Sequence, residues 1–312
     1  MSESKPTTAN DLITEGREQE LRSNRSRALT CWSTVIQDAE WLCPDKTDAP
    51  EEYAAWLIQH GNDLVRAYRY RGDLLRSLND FSGSRVDFDA AIRIGEELRG
   101  VVGAQYANDL ILAYNSRGEL RSRFSEFDDA ITDYDAALAI GTALRDTNAE
   151  RDWLVQYGND LASVHRNRGI LLWNWKGPAD ARADYEAAIK IRKALREAIE
   201  QQPGHNWLIE YGNDLARVLN GRGALMRSLG EFAGARADYA ESIKIREALR
   251  QHFIEKQDHT TWLVQYGNNL ANVYYNRGNL RRDSNDMAGA TADFAAASEI
   301  TEQLRQRQDI PQ

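Results

Sequence analysis

Arg222–Ile245 reads RGALMRSLGEFAGARADYAESIKI, and its spacing decides the fold. Counted from Gly223, a small residue stands at +12 (Ala235), an aromatic at +16 (Tyr239), a small residue at +19 (Ser242) and a leucine at +26 (Leu249). Steps of three, four and seven place these side chains on one helical face. Leu229-Gly230-Glu231 interrupts the pattern, and Gly230 suits the end of a helix. Upstream, WLIEYGNDLARVLNGRG (Trp207–Gly223) continues the first helix backwards. The spacing predicts helix A from about Trp207 to Leu229 and helix B from about Phe232 to Phe253, each roughly 35 Å long.

The same phrase recurs as WLIQHGNDLVRAYRYRG from Trp56, WLVQYGNDLASVHRNRG from Trp153 and WLVQYGNNLANVYYNRG from Trp262, with QYANDLILAYNSRG from Gln105 lacking the tryptophan. The closing glycines are Gly72, Gly118, Gly169, Gly223 and Gly278, spaced 46, 51, 54 and 55 residues apart. Offsets inside each unit hold, so length varies in the connectors, where QQPGHN (Gln201–Asn206) and KQDHTT (Lys256–Thr261) carry turn and cap residues. Five elongated repeats follow, at 51–102, 103–150, 151–203, 204–258 and 259–307. A degenerate capping repeat, 10–50, precedes them, with Gly16, Ala28 and Trp32 at the same offsets. Residues 1–9 are expected to be disordered, and 308–312 form a tail.

Composition agrees with an extended helical array. The chain has 312 residues, 42% hydrophobic and 28% charged, with 6 Pro, a modest apolar share for one deep core. No apolar run approaches the roughly 18 residues that span a bilayer. The start, MSESKPTTAND, lacks an apolar signal segment. Cys31 and Cys43 neither build a disulfide framework nor match zinc spacing, so a reduced cytoplasmic setting is expected. The net charge of −9 argues against bulk coating of nucleic acid. His60, His165, His205, His252 and His259 are scattered, and no phosphate-binding glycine loop occurs. No catalytic residue, metal or cofactor is therefore expected.

RGALMRSLGEFAGARADYAESIKI resembles the tetratricopeptide repeat, through Gly223, the Gly230-Glu231-Phe232 turn, Ala235, Tyr239 and Ser242. YYNRGNLRRDSNDMAGATADFAAASEI, from Tyr274, is similar, with Met287 in the turn-aromatic place. Two departures stand out. Gly177-Pro178 alters the turn of the third unit, and the units exceed the usual 34 residues. The resemblance covers about 250 residues and implies an all-α, right-handed superhelical solenoid of antiparallel hairpins. It also implies a non-enzymatic scaffold, adaptor or regulator whose helix-A face lines a concave groove for extended peptides.

Three polar series recur inside the chain. Arg71, Arg117, Arg168, Arg222 and Arg277 precede the glycine, and Asp87, Asp133, Asp184, Asp238 and Asp293 lie fifteen after it. Both stand eight residues from the turn, which predicts an Arg–Asp bridge across each hairpin, contributing about 1 kcal/mol or less where exposed. Arg99, Arg145, Arg196, Arg250 and Arg305 end helix B, where they suit its negative pole and reach toward Asp63, Asp109, Asp160 and Asp214.

Asn62, Asn108, Asn159, Asn213 and Asn268 sit ten before the glycine, in mid-helix, where asparagine is a poor helix former. They lie on a stripe about 180° from the Arg–Asp position, opened by Gln59, Gln105, Gln156, Glu210 and Gln265. Two readings are open: the amides clamp a ligand backbone, as the resemblance implies, or they bond neighbouring helices. The stripe also holds Arg66, Arg69, Arg76, Arg166, Arg217, Arg227 and Arg282 against Asp73 and Glu119, an excess of five positive charges, with Trp173 and Tyr275 as apolar anchors. The expected partner is an extended acidic segment of another protein. The alternatives are single-stranded RNA or DNA tracked by the arginines, or self-assembly of the chain as a structural scaffold.

Overall fold

The computed structural model describes residues 8–22, 24–147, 152–200, 202 and 204–308. All regular structure among them is helical, and no helix is long and apolar enough to cross a membrane. The expected disorder of residues 1–7 and the tail residues 309–312 lie outside the described residues. Contacts divide the chain into two compact units, Met1–Ala149 and Glu150–Gln312.

The first unit contains α1 (Ala9–Leu21) and α2 (Arg25–Trp41), α3 (Pro50–Ser77) and α4 (Phe81–Val102), and α5 (Ala107–Arg123) and α6 (Phe127–Thr147). Thr8 caps α1 in a reciprocal capping box with Asp11, which starts the helix at Ala9. Trp32 of α2 is fully buried against Gly16, where any side-chain carbon would collide with the indole.

The second unit contains α7 (Asp152–Trp175) and α8 (Pro178–Ile199), then α9 (Asn213–Ser228) and α10 (Phe232–Glu255), then α11 (His259–Trp262), α12 (Asn268–Asp283) and α13 (Met287–Gln308). The segments joining Trp207 to α9 and α11 to α12, Leu208–Gly212 and Leu263–Gly267, are π-helical. Periodicity predicts uninterrupted α-helix there. The same phrase lies on regular helix in α7, from Trp153, and across both π segments, so the winding leaves no mark on the sequence pattern.

Tight turns close the hairpins. Seven residues after the repeat glycine the backbone is left-handed: φ is 64° at Asn79, 62° at Ser125, 77° at Gly230 and 61° at Asn285. In the third hairpin the positive φ moves one place on, to Gly177 (115°), and Pro178 opens α8 at its first turn. Each repeat glycine lets the +16 aromatic approach. A Cβ on Gly223 would lie 2.8 Å from the Tyr239 ring and one on Gly278 2.7 Å from that of Phe294. Ala235, Tyr239, Leu249, Trp262 and Leu270 are among the buried residues of one such core.

All five Arg–Asp bridges form, each by two parallel hydrogen bonds: 2.8 and 2.7 Å for Arg71–Asp87, 3.0 and 2.6 Å for Arg117–Asp133, 2.8 and 2.8 Å for Arg168–Asp184 and for Arg222–Asp238, and 2.9 and 2.7 Å for Arg277–Asp293. The aspartates are buried, at most 4% exposed, so the small energy of an exposed pair does not apply. Removing one partner of a buried pair costs about 3–5 kcal/mol, because the other charge is stranded. These bridges fix hairpin register.

Arg99, Arg145 and Arg196 lie in the last turns of their helices, at the negative pole as expected, but their bonds run locally: Arg99 bonds Glu96 at 2.5 Å and Arg196 bonds the C-cap Glu200 at 2.7 Å. Arg196 and Arg250 also lie over the indoles of Trp207 and Trp262, at 4.5 and 5.1 Å from the ring centres.

Candidate protein-interaction face

In the first unit the stripe of α3 turns toward the next helix A, α5. Arg69 is buried at 7% exposure and bonds Asp109 at 2.7 Å. Burial pulls its guanidinium pKa down, and the charges of Asp109, Tyr70 and Asp73 more than reverse this. Arg66 lies 3.7 Å from both Asp63 and Asp109, and bonds Asn10 at 3.1 Å. Arg76 bonds Glu119 at 2.5 Å and Asp73 at 3.0 Å, and Asp73 also accepts from Ser116. Burial raises the Asp73 carboxyl despite these cations. Here the arginines tie successive helices A together.

The positive excess counted along the stripe is therefore smaller in the fold. Asp109 and Asp283 stand beside the stripe, not on it, and reach across from the next helix A. Arg227 bonds Asp283 at 2.6 Å in this way. Further along the same junction, Asn276 donates to Asn220 at 3.0 Å.

The remaining stripe residues of the second unit have other surroundings. Arg217 is 43% exposed in its side chain, with Asp214 at 3.5 Å. Arg282 is exposed and bonds Asn279 on its own helix at 2.9 Å. Arg166 is half-buried and bonds Asn167 at 3.1 Å. Trp173 is half-buried and meets Tyr185 edge-on, 6.4 Å between ring centres, at the margin of the core.

The asparagines divide by position. Asn62 is half-buried. Asn159 accepts from Arg192 Nε, 3.2 Å, on helix B of its own hairpin. Oδ1 of Asn108 and of Asn213 is buried without a hydrogen-bond partner. Asn268 is exposed. It lines a groove of about 500 Å³ on α12 and α13 together with Asn272, Tyr275, Phe294, Glu302 and Arg305. Tyr275 is 56% exposed and its ring lies 5.5 Å from that of Phe294. The last hairpin thus brings Asn268 and Tyr275 together on an open surface, while positions in earlier hairpins are drawn into packing.

One feature went unread in the sequence. Tyr68, Tyr114 and Tyr274, four before the repeat glycine, each donate a phenolic hydrogen bond to helix B of the preceding hairpin: Tyr68 to Glu40, Tyr114 to Glu96 at 2.9 Å and Tyr274 to Glu247 at 2.8 Å. Burial, then the carboxylate, pushes the Tyr114 and Tyr274 phenols up to about 12. The signal is present: where the tyrosine gives way to His165 or Leu219, the glutamate place holds Thr142 or Lys193. No group of three or more potential metal ligands occurs among the described residues.

A family profile described as "Tetratricopeptide repeat" matches residues 215–259. A comparison with curated proteins finds no match. Among solved structures, BtubC (BKLC) from P. vanneervenii superposes with a TM-score of 0.59 at 18% identity, covering 98% of this chain and 96% of that one. The apo form of RapI superposes with a TM-score of 0.55 at 10% identity, covering 96% and 99%. At these identities the likeness concerns the fold. Residues 215–259 thus match the tetratricopeptide-repeat profile, within an all-α array of elongated helical hairpins.

Proposed function

We propose that the chain is a non-catalytic protein-interaction scaffold that holds an extended acidic segment of a partner protein on the helix-A face of its second unit. The observation that carries this reading is the groove of α12 and α13, where the amides of Asn268 and Asn272 stand exposed beside the Tyr275 and Phe294 rings. An amide side chain both donates to a peptide carbonyl and accepts from a peptide N–H, so it grips backbone without reading sequence. Tyr275 supplies apolar area for a ligand side chain. Arg305 in the groove, with Arg217 and Arg282 exposed on the stripe, favours an acidic ligand, and Glu302 discriminates locally against a closely placed carboxylate.

The test is affinity purification from the native host with the wild type and an Asn268→Ala/Tyr275→Ala double variant, followed by fluorescence anisotropy with peptides from the recovered partner. Partners should be lost by the variant, and acidic peptides should bind at least about tenfold tighter than charge-reversed ones, a difference of about 1.4 kcal/mol. Recovery of the same partners by a folded variant overturns the reading.

A further inference from the structure

Two arginines on helix B are almost sealed from solvent: Arg192 of α8 and Arg246 of α10, each 2% exposed. They occupy equivalent places, twenty-three residues after Gly169 and Gly223. Neither has a carboxylate within ion-pair distance among the described residues. Burial pushes both guanidiniums down to about 10. A buried charge without a counter-charge is costly, and proteins ordinarily supply one.

The two sites solve this differently. Around Arg192 neutral oxygens satisfy the guanidinium: Nε donates to Asn159 Oδ1 at 3.2 Å, Nη2 to Ser163 Oγ at 2.9 Å and Nη1 to the Asp214 carbonyl at 3.1 Å. In the next hairpin the place of Ser163 is taken by Arg217, so a second cation stands where the first site has a hydroxyl. Arg246 keeps one hydrogen bond, from Nη1 to Ser242 Oγ at 3.0 Å, while its Nε is buried and unpaired. Asn213, the counterpart of Asn159, leaves its Oδ1 unpaired as well. The charge acting most on Arg246 is that of Arg217, of the same sign. Arg217 itself has Asp214 at 3.5 Å as its one ion-pair partner among the described residues. Arg217 occupies the place from which Ser163 reaches Arg192 one hairpin earlier, so a buried guanidinium with an unused donor and a second, exposed cation share one neighbourhood, which suits a negative group.

We propose that Arg246 and Arg217 form an oxyanion-binding site in the fourth hairpin, which takes a single carboxylate or phosphate group entering past the exposed Arg217 and closing on the buried Arg246. A carboxylate would be the anchor of the acidic segment, and only this source rests on the function proposed above. A phosphate would bind without any partner.

The experiment is thermal unfolding of the full chain in sodium chloride, inorganic phosphate or glutarate, at pH 7 and matched ionic strength. It compares the wild type with Arg246→Met and with Arg217→Ser, which restores the arrangement of the third hairpin. The wild type should gain about 2–4 °C, saturably, in at least one of the two oxyanions over chloride. Both variants should lose the saturable shift, and Arg217→Ser should start from a higher midpoint in chloride because the like-charge repulsion is gone. A shift with glutarate identifies carboxylate as the ligand class, and one confined to phosphate identifies phosphoryl groups. Should Arg246→Met fail to fold, Arg217→Ser decides alone. No shift in the wild type, or the same shift in Arg217→Ser, overturns the proposal. Since no partner is present, these outcomes are independent of whether Asn268 and Tyr275 bind a segment.

Discussion

Arg168 and Asp184 are joined by two parallel hydrogen bonds of 2.8 Å, and the Nδ1–H of His165 adds a third to the same buried carboxylate at 2.7 Å. Burial raises the Asp184 carboxyl, but the bonds from His165 and Arg168 outweigh it, and its pKa lies below the ordinary value. Asp87 has Arg71 but no histidine; there burial wins and the pKa is raised. A depressed carboxyl contributes stability above its unfolded pKa of about 3.9, and that contribution is lost as pH falls through the folded value. Replacing His165 by leucine, the residue at the equivalent Leu219, should therefore move Asp184 upward and reduce the stability lost to this carboxyl on acidification. Carboxyl NMR titration of both proteins checks this, and an unchanged Asp184 midpoint counts against it.

The bridges themselves should be strong in one sense and replaceable in another. Arg222→Met strands Asp238 and is expected to cost about 3–5 kcal/mol in urea denaturation, whereas Arg222→Met/Asp238→Leu should recover most of the loss. A double variant no more stable than the single would show that the charges contribute more than register.

Left-handed turn residues offer a gain. Ser125 holds φ at 62° without being glycine, so Ser125→Gly should stabilise by about 0.5–1 kcal/mol, and Gly230→Ala, at φ 77°, should destabilise by at least about 1 kcal/mol. Calorimetric midpoints of the two variants should move in opposite directions.

The Tyr–Glu bonds between hairpins predict late-titrating phenols. Ultraviolet titration should show Tyr114 and Tyr274 ionising near 12, and Tyr274→Phe should remove one of them at a cost of about 1 kcal/mol. Loss of the late phenol with no change in stability would place the bond on the surface energetically.

Hairpin order, the glycine–aromatic contacts and the Arg–Asp bridges were legible because each depends on distance along the chain within one unit. The interaction face was less so. Arg69 and Arg227 read as groove cations because a helical wheel cannot show that Asp109 and Asp283 of the next helix reach across to them. Likewise, nothing in the Asn ladder distinguishes Asn159, bonded to Arg192, from exposed Asn268; the difference lies in which helix covers each. Contacts between units depend on connector geometry, which varies where the repeat pattern is silent.

The π segments Leu208–Gly212 and Leu263–Gly267 each follow a repeat tryptophan. Four units place a tryptophan sixteen residues before the repeat glycine, and Trp56, Trp207 and Trp262 among them dock in two ways. Trp56, on regular α-helix, donates to the Ala39 carbonyl at 2.9 Å. Trp207 and Trp262, at the head of π windings, lie beneath Arg196 and Arg250 with the indole N–H unpaired. Ahead of Trp56, Cys43 stands in the repeat place that holds Arg196 and Arg250 ahead of Trp207 and Trp262. One phrase of sequence thus docks its indole on a carbonyl where no cation is offered and beneath a guanidinium where one is.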